Sequence, residues 1–208
     1  MTKILGVCGS PRKASTEYVL RKALEAAEEV EGVETDLILL RGKKINFCIH
    51  CNKCIKAGAN YCTVHKDDMT EFYERFYSAD AYLIASPVYE MNMTAQLAAF
   101  MDRFRMTFML LKSNPDMFSD KFGAAIAVGG TRNGGQELTI SAIHWFYHAQ
   151  GIPIVNAGPG GYGGAAVWSQ DREAAGAADD EIGMKNVVTL ARRLARLTVN
   201  HNMAMKVK

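Results

Sequence analysis

The feature that most restricts the fold of this chain is an alternation of short apolar runs with longer amphipathic stretches. Residues 4–8, 34–40, 81–86, 122–128 and 152–155 read as strands, and residues 15–31, 66–78, 94–111, 135–150 and 180–200 as helices. In the first helical stretch Val19, Leu20, Ala23, Leu24, Ala27 and Val30 form one stripe, and Gly32 stands where the helix would stop. Five apolar strands alternating with helices predict an α/β fold with a doubly wound parallel sheet, covered on both faces and joined by right-handed crossovers. The spacing fits the five-stranded flavodoxin-like order 2-1-3-4-5 better than a six-stranded dinucleotide fold. With no internal repeat and 208 residues, the expectation is a single domain over 1–208.

Charge excludes some functions. Lys plus Arg total 24 against 22 Asp plus Glu, a formal net charge of +2, which gives no electrostatic case for nucleic acid or an anionic membrane. No stretch approaches the roughly 20 apolar residues that cross a bilayer, and the apolar run at residues 4–8 is too short for a signal-peptide core. The expectation is a cytoplasmic protein, in a reducing compartment where clustered cysteines more often bind metal than form disulfides.

In an open sheet of this order, ligands bind outside the carboxyl ends of the strands, where strand order reverses. The loop after the first strand reads Gly9-Ser10-Pro11-Arg12-Lys13-Ala14-Ser15-Thr16 and enters a helix N-terminus. Its free N–H groups favour an anion, and the hydroxyls of Ser10, Ser15 and Thr16 with the cations of Arg12 and Lys13 suit a terminal phosphate. Neither G-x-x-x-x-G-K-[ST] nor G-x-G-x-x-G is present, so the loop points to a monophosphate, as in flavin mononucleotide (FMN). The alternative is that Ser15 or Thr16 merely caps the helix and Arg12 is solvated. A second loop, with Pro87, Val88, Tyr89, Met91 and Asn92, would flank a planar ring. A third, with Gly130, Thr131, Asn133 and Gly134, would bring backbone N–H groups to the ring's polar edge.

The run G-S-P-R-K-x-S-T at residues 9–16, S-P-V-Y at residues 86–89 and A-A-F-M-D-R-F at residues 98–104 together resemble the NADPH-dependent FMN reductase group of flavodoxin-like proteins. With the cysteine-rich insertion, the chain is similar to the iron-sulfur flavoproteins of anaerobic archaea and bacteria over essentially its whole length. The resemblance implies homodimers or tetramers, a ferredoxin-like electron carrier as donor, and O2, H2O2 or quinone-like acceptors. It also implies assemblies in which the cluster of one subunit approaches the flavin of another.

Two connections exceed the usual length, at residues 41–65 and 156–178. The second is glycine-rich. The first contains the cysteine-cluster loop, about 42–65, with four of the five cysteines: Cys48-x-x-Cys51-x-x-Cys54, then Cys62. This spacing lets three thiolates reach three corners of a [4Fe-4S] cubane, with the fourth ligand local. A structural zinc is the main alternative, although zinc sites more often use two separated C-x-x-C knuckles; unligated thiols are the third. His50 and His65 are read as neighbours of the cluster rather than ligands. Lys43, Lys44, Lys53 and Lys56 would raise the potential of an anionic cluster or help an acidic carrier dock, or would simply keep the loop soluble.

Cys8 is read as packing, as are Met91, Met93, Met101, Met106, Met109 and Met117. His144 and His148 stand one helical turn apart, but without an evident third ligand they are read as structural. These residues predict an FMN- and [4Fe-4S]-containing electron-transfer oxidoreductase that needs no side-chain nucleophile. The alternative is an NAD(P)H-dependent FMN or quinone reductase with zinc in the cysteine loop. A third reading, from a non-enzyme class, is a redox or metal sensor that binds a partner through that loop.

Overall fold

A computed structural model describes residues 1–206. The elements run β1 (Thr2–Cys8), α1 (Ser15–Glu28), β2 (Val33–Leu39), α2 (Lys53–Lys56), α3 (Thr70–Ser78), β3 (Ala81–Pro87), α4 (Ala95–Asp102), α5 (Thr107–Ser113), β4 (Phe122–Gly129), α6 (Gln136–Gln150), β5 (Ala165–Trp168), α7 (Glu173–Ala178) and α8 (Glu181–Lys206). The strands form one sheet in the order β2-β1-β3-β4-β5, every neighbouring pair parallel. The expected fold class is therefore found.

Both faces of the sheet are buried, and the two-residue period of a strand assigns each side chain to one of two cores. Ile4, Cys8, Leu83, Ala85 and Ile126 pack on the side of α1 and α8. Leu5, Val7, Tyr82, Ile84 and Ala125 pack on the other, with Phe72 and Phe76 of α3, Phe100 of α4 and Tyr147 of α6. No helix among the described residues is long and apolar enough to cross a membrane.

The structure corrects three sequence expectations. Residues 152–155 do not form the fifth strand. Ile154 makes one isolated bridge to Gly123, where Gly123 N–H donates to the Pro153 carbonyl at 2.9 Å. Proline lacks the N–H that a continuing ladder needs, and the chain leaves the sheet. It returns after the glycine-rich turn as Ala165–Trp168, pairing with residues 126–129.

The expected helix over 94–111 is broken into α4 and α5. Between them Phe104, Arg105 and Thr107 donate to carbonyls three residues back, and the Thr107 hydroxyl bonds both the Phe104 carbonyl (2.6 Å) and Gln150 Oε1 (2.5 Å). This local bonding tightens the turn and drives Arg103 inward. The helix expected from residue 66 begins at Thr70, because the chain before it pairs with the start of the cysteine loop. Asp68 N–H donates to the Lys44 carbonyl at 3.1 Å, and Lys44 N–H donates to the Asp68 carboxylate at 2.6 Å.

Candidate functional site

The carboxyl end of the sheet gathers all three ligand-type loops. Gly9 N–H donates to the Ala85 carbonyl at 2.8 Å, which ties the β1 loop to β3. A Cβ at Gly9 would lie 2.9 Å from Leu97 Cβ, so only glycine lets this loop rest on α4. The buried Thr94 completes the joint. Its hydroxyl donates to the Gly9 carbonyl (2.7 Å) and accepts from Leu97 N–H (3.2 Å), and its own N–H donates to the Ser86 hydroxyl (3.2 Å). The cap is worth about 1 kcal/mol to α4 and also fixes the β1 loop, two tasks for one hydroxyl.

Within that loop the buried Ser10 hydroxyl accepts from Arg12 N–H (3.1 Å) and donates to the Arg12 carbonyl (2.9 Å), which turns the chain. The N-cap position of α1 falls on Ala14, so no side chain caps this helix. The capping half of the alternative is therefore not realised, whereas its solvated Arg12 is what the structure has. Ser15 and Thr16 sit buried in the first turn, whereas Arg12 and Lys13 are exposed beside it. The acidic residue of that turn, Glu17, is buried and is held by Arg21 (2.8 Å) and Arg41 (3.4 Å).

The β3 loop closes as a tight turn in which Tyr89 and Asn92 exchange backbone bonds of 2.8 and 2.9 Å. Glu90 and Met91 both adopt left-handed conformations, φ 49° and 60°, in a turn that usually selects Asn-Gly. Such strain costs about 1–3 kcal/mol per residue and tends to persist at functional sites. The β4 loop meets this turn, since a Cβ at Gly135 would lie 2.7 Å from Met91 Cα.

The β4 loop is itself pinned. Gln136 Nε2 donates to the Thr131 carbonyl (2.5 Å), Gln136 Oε1 accepts from Gly134 N–H (2.9 Å), and Trp168 Nε1 donates to the Gly130 carbonyl (2.8 Å). The Arg132 guanidinium lies 4.4 Å from the centre of the Trp168 ring, and the Asp171 carboxylate packs against Gly130. Thr94, Gln136, Trp168 and Asp171 were not among the sequence candidates. Thr94 carried a legible signal as a hydroxyl residue before a helical run. Trp168 and Asp171 carried none once the fifth strand was sought at residues 152–155.

The cysteine loop lies beside α4. Its stem is closed where Asn46 N–H (2.9 Å) and Nδ2 (3.0 Å) donate to the Asp67 carboxylate. Inside it, His50 and Asn52 take left-handed conformations, φ 52° and 57°, folding the chain between successive cysteines. His50 N–H approaches Cys48 Sγ at 3.4 Å. Cys48, Cys51, Cys54 and Cys62 line one cavity of about 20 Å³ with Val64, His65 and Arg105. No disulfide joins them, and among the described residues no three His, Cys, Asp or Glu side chains stand at metal-binding spacing. Four thiols converging on one small cavity nonetheless match the donor set of a four-thiolate cluster.

Burial raises the pKa of the Cys54 thiol, and charges on Cys62 and Cys48 push it the same way. A thiolate at Cys54 therefore needs a cation or cluster to neutralise it. Lys43 is occupied by Glu71 (2.6 Å), whereas Lys44, Lys53 and Lys56 are exposed.

The residues read as packing divide. Cys8 is 1% exposed, and burial pushes its thiol up to about 11, so it stays protonated at neutral pH. Met101 and Met106 are buried, but Met91 and Met109 face solvent. His144 is held below the usual histidine range by burial and by the neighbouring His148.

The family model described as NADPH-dependent FMN reductase matches residues 2–165. An iron-sulfur flavoprotein of Methanocaldococcus jannaschii is 42% identical over 184 residues, covering 88% of this chain and 90% of that protein. An iron-sulfur flavoprotein of Archaeoglobus fulgidus is 43% identical over 195 residues, covering 93% and 96%. Among solved structures, a flavodoxin, WrbA-like protein from Agrobacterium tumefaciens superposes with a TM-score of 0.66 at 15% identity, covering 97% of this chain and 99% of that one, a likeness of fold.

Proposed function

The chain belongs to the NADPH-dependent FMN reductase family, and within it to the iron-sulfur flavoproteins, and from that premise we propose that it carries electrons between a one-electron carrier and a two-electron acceptor. It is a flavin-dependent oxidoreductase whose cofactors are FMN and an iron-sulfur cluster. The cluster in this reading is [4Fe-4S], the donor a ferredoxin-like protein and the acceptor O2, H2O2 or a quinone. FMN supplies one- and two-electron exchange and the cluster one-electron exchange.

One observation carries the reading: α4 is bonded at its N-terminus to the β1 loop through Thr94 and, just beyond its C-terminus, to the stem of the cysteine loop through Arg103. The two candidate cofactor sites thus share one rigid element. Ser10, Arg12, Lys13, Ser15 and Thr16 would hold the FMN phosphate at the open N-terminus of α1. Pro87, Val88, Tyr89, Met91 and Asn92 would lie along the ring, and Gly130, Thr131, Asn133 and Gly134 at its polar edge. Cys48, Cys51, Cys54 and Cys62 would hold the cluster. Exposed Phe47, Ile49 and Tyr61 beside Lys44, Lys53 and Lys56 support contact with an acidic carrier or a second copy of the chain.

Anaerobic reconstitution followed by iron, sulfide, zinc and FMN analysis tests this. About four iron and four sulfide per chain, with FMN, are expected from a four-thiolate cubane. Zinc in their place, or iron without sulfide, overturns the reading. Arg12→Ala is expected to weaken FMN by about ten- to a hundredfold, because a charge-assisted phosphate contact contributes about 1.5–3 kcal/mol. Unchanged affinity in a fluorescence-quenching titration would place the phosphate elsewhere.

A further inference from the structure

The four cysteines share their cavity with Ile49, Asn52, Val64, His65 and Arg105. Ile49 and Val64 bring no polar side-chain atom to it. Asn52 Oδ1 accepts from Arg105 Nη2 at 3.3 Å, and the guanidinium lies 5.2 Å from the centre of the Phe108 ring. His65 differs from these neighbours, because its Nε2 is buried and has no hydrogen-bond partner. Among the described residues it is the only such atom on a side chain that lines this cavity. Buried polar atoms without partners are rare, and one at the wall of a four-thiol cavity requires an explanation.

The chain around His65 holds the imidazole in place. His65 follows Cys62 by three residues and precedes Asp67 by two. The Asp67 carboxylate accepts from Arg103 Nη1 (2.6 Å), Asn46 N–H (2.9 Å) and Asn46 Nδ2 (3.0 Å), and Asp68 N–H donates to the Lys44 carbonyl (3.1 Å). The cavity measures only about 20 Å³, so a ring at its wall stands close to whatever the thiols hold. An imidazole with its proton on Nε2 is a donor, and a thiolate sulfur is a stronger acceptor than a thiol because it carries charge. Hydrogen bonds to cluster sulfurs favour the reduced, more negative state and so raise its potential. Burial without competing water strengthens that effect.

We propose that His65 is a hydrogen-bond donor to the cluster: from the cavity wall its Nε2–H bonds a sulfur held there, and this bond raises the cluster's reduction potential. The inference rests on the reading of Cys48, Cys51, Cys54 and Cys62 as cluster ligands. It turns a residue that spacing marks only as a neighbour into one that sets how readily the cluster accepts an electron.

His65→Leu removes the donor, whereas His65→Gln keeps a side-chain N–H at a similar reach. Both reconstituted variants are expected to hold iron, sulfide and FMN at the level of the unaltered protein. In an anaerobic titration at one pH, followed by electron paramagnetic resonance, the His65→Leu cluster is expected to favour oxidation about tenfold, a shift of about 59 mV to more negative potential. His65→Gln is expected to recover most of that shift. If His65→Leu takes up no cluster, His65→Phe, a ring without a donor, is measured in its place with the same expectation. An unshifted or more positive potential in a loaded donor-free variant overturns the proposal, and so does a His65→Gln shift as large as that of the donor-free variant. Loss of the cluster from both donor-free variants also overturns it, because His65 would then serve assembly rather than potential. Absence of iron and sulfide from the unaltered protein would instead overturn the cluster reading, and the two failures are told apart by that elemental analysis.

Discussion

Replacing Cys51 by serine is expected to remove essentially all iron and sulfide from anaerobically reconstituted protein while leaving FMN bound. A serine hydroxyl stays protonated at neutral pH, so it cannot stand in for a thiolate at one corner of a cluster. Cys51 is the exposed member of the four, so its substitution touches no core packing and separates ligand loss from misfolding. Cys54→Ser should also abolish the cluster. Because Cys54 is buried in the core on the α3 side, it should in addition cost about 1–3 kcal/mol for hiding a hydroxyl. FMN survives both changes in this account, because the cysteine loop is an excursion closed by its own stem at Asn46 and Asp67. Iron content with the visible spectrum measures the result. Full iron in Cys51→Ser would move the ligand set elsewhere, and joint loss of FMN would make the loop part of the flavin site.

Arg103→Met is expected to destabilise the protein by about 3–5 kcal/mol, a large share of the roughly 5–15 kcal/mol that holds a domain together. The cost comes from leaving the wholly buried Asp67 carboxylate without its cation, together with the loss of the bond to Asn46. Burial alone would raise the Asp67 pKa, but the bonds from Arg103 and from both Asn46 donors draw it down to about 2. A depressed carboxylate pKa stabilises the fold above its unfolded value near 4, and that stability, about 2 kcal/mol, is lost as pH falls from about 4 to about 2. Without Arg103 the burial effect is opposed only by the two Asn46 bonds, so the folded-state carboxylate takes up a proton at higher pH than in the unaltered protein. The urea midpoints of the two proteins should therefore converge as pH is lowered, and Asp67→Asn combined with Arg103→Met should recover part of the loss. A gap that stays constant with pH would mean that the cost is one of packing rather than charge.

The alternation of strands and helices was legible because a strand buried on both faces and an amphipathic helix leave different periodicities. Four of the five strands lie at or near their expected positions. The fifth was misplaced because Ile152-Pro153-Ile154-Val155 and Ala165-Ala166-Val167-Trp168 are equally short and apolar. Only pairing with β4 distinguishes them, and β4 leaves the first after a single bridge. The helix over 94–111 read as continuous because its apolar stripe continues through Phe104 and Met106. Its break depends on Thr107 finding Gln150, a residue 43 positions away.

The candidate site shows the same division. Cys48, Cys51, Cys54 and Cys62, and the hydroxyls and cations of residues 10–16, could be listed in advance because their chemistry is local and their spacing short. Thr94 bridging Gly9 and Ser86, Trp168 and Asp171 over Gly130, and above all the pairing of Arg103 with Asp67 could not, because each joins residues far apart in the chain. By itself the sequence determined the sheet class, and it supplied the four thiols and the hydroxyl- and cation-bearing turn proposed as ligands, all properties of contiguous residues. Tertiary structure alone decided that an arginine inside an apolar helical stripe is buried as a charge between the two ends of the cysteine loop. A buried cation is stable only where a distant carboxylate meets it, and no local pattern encodes that meeting.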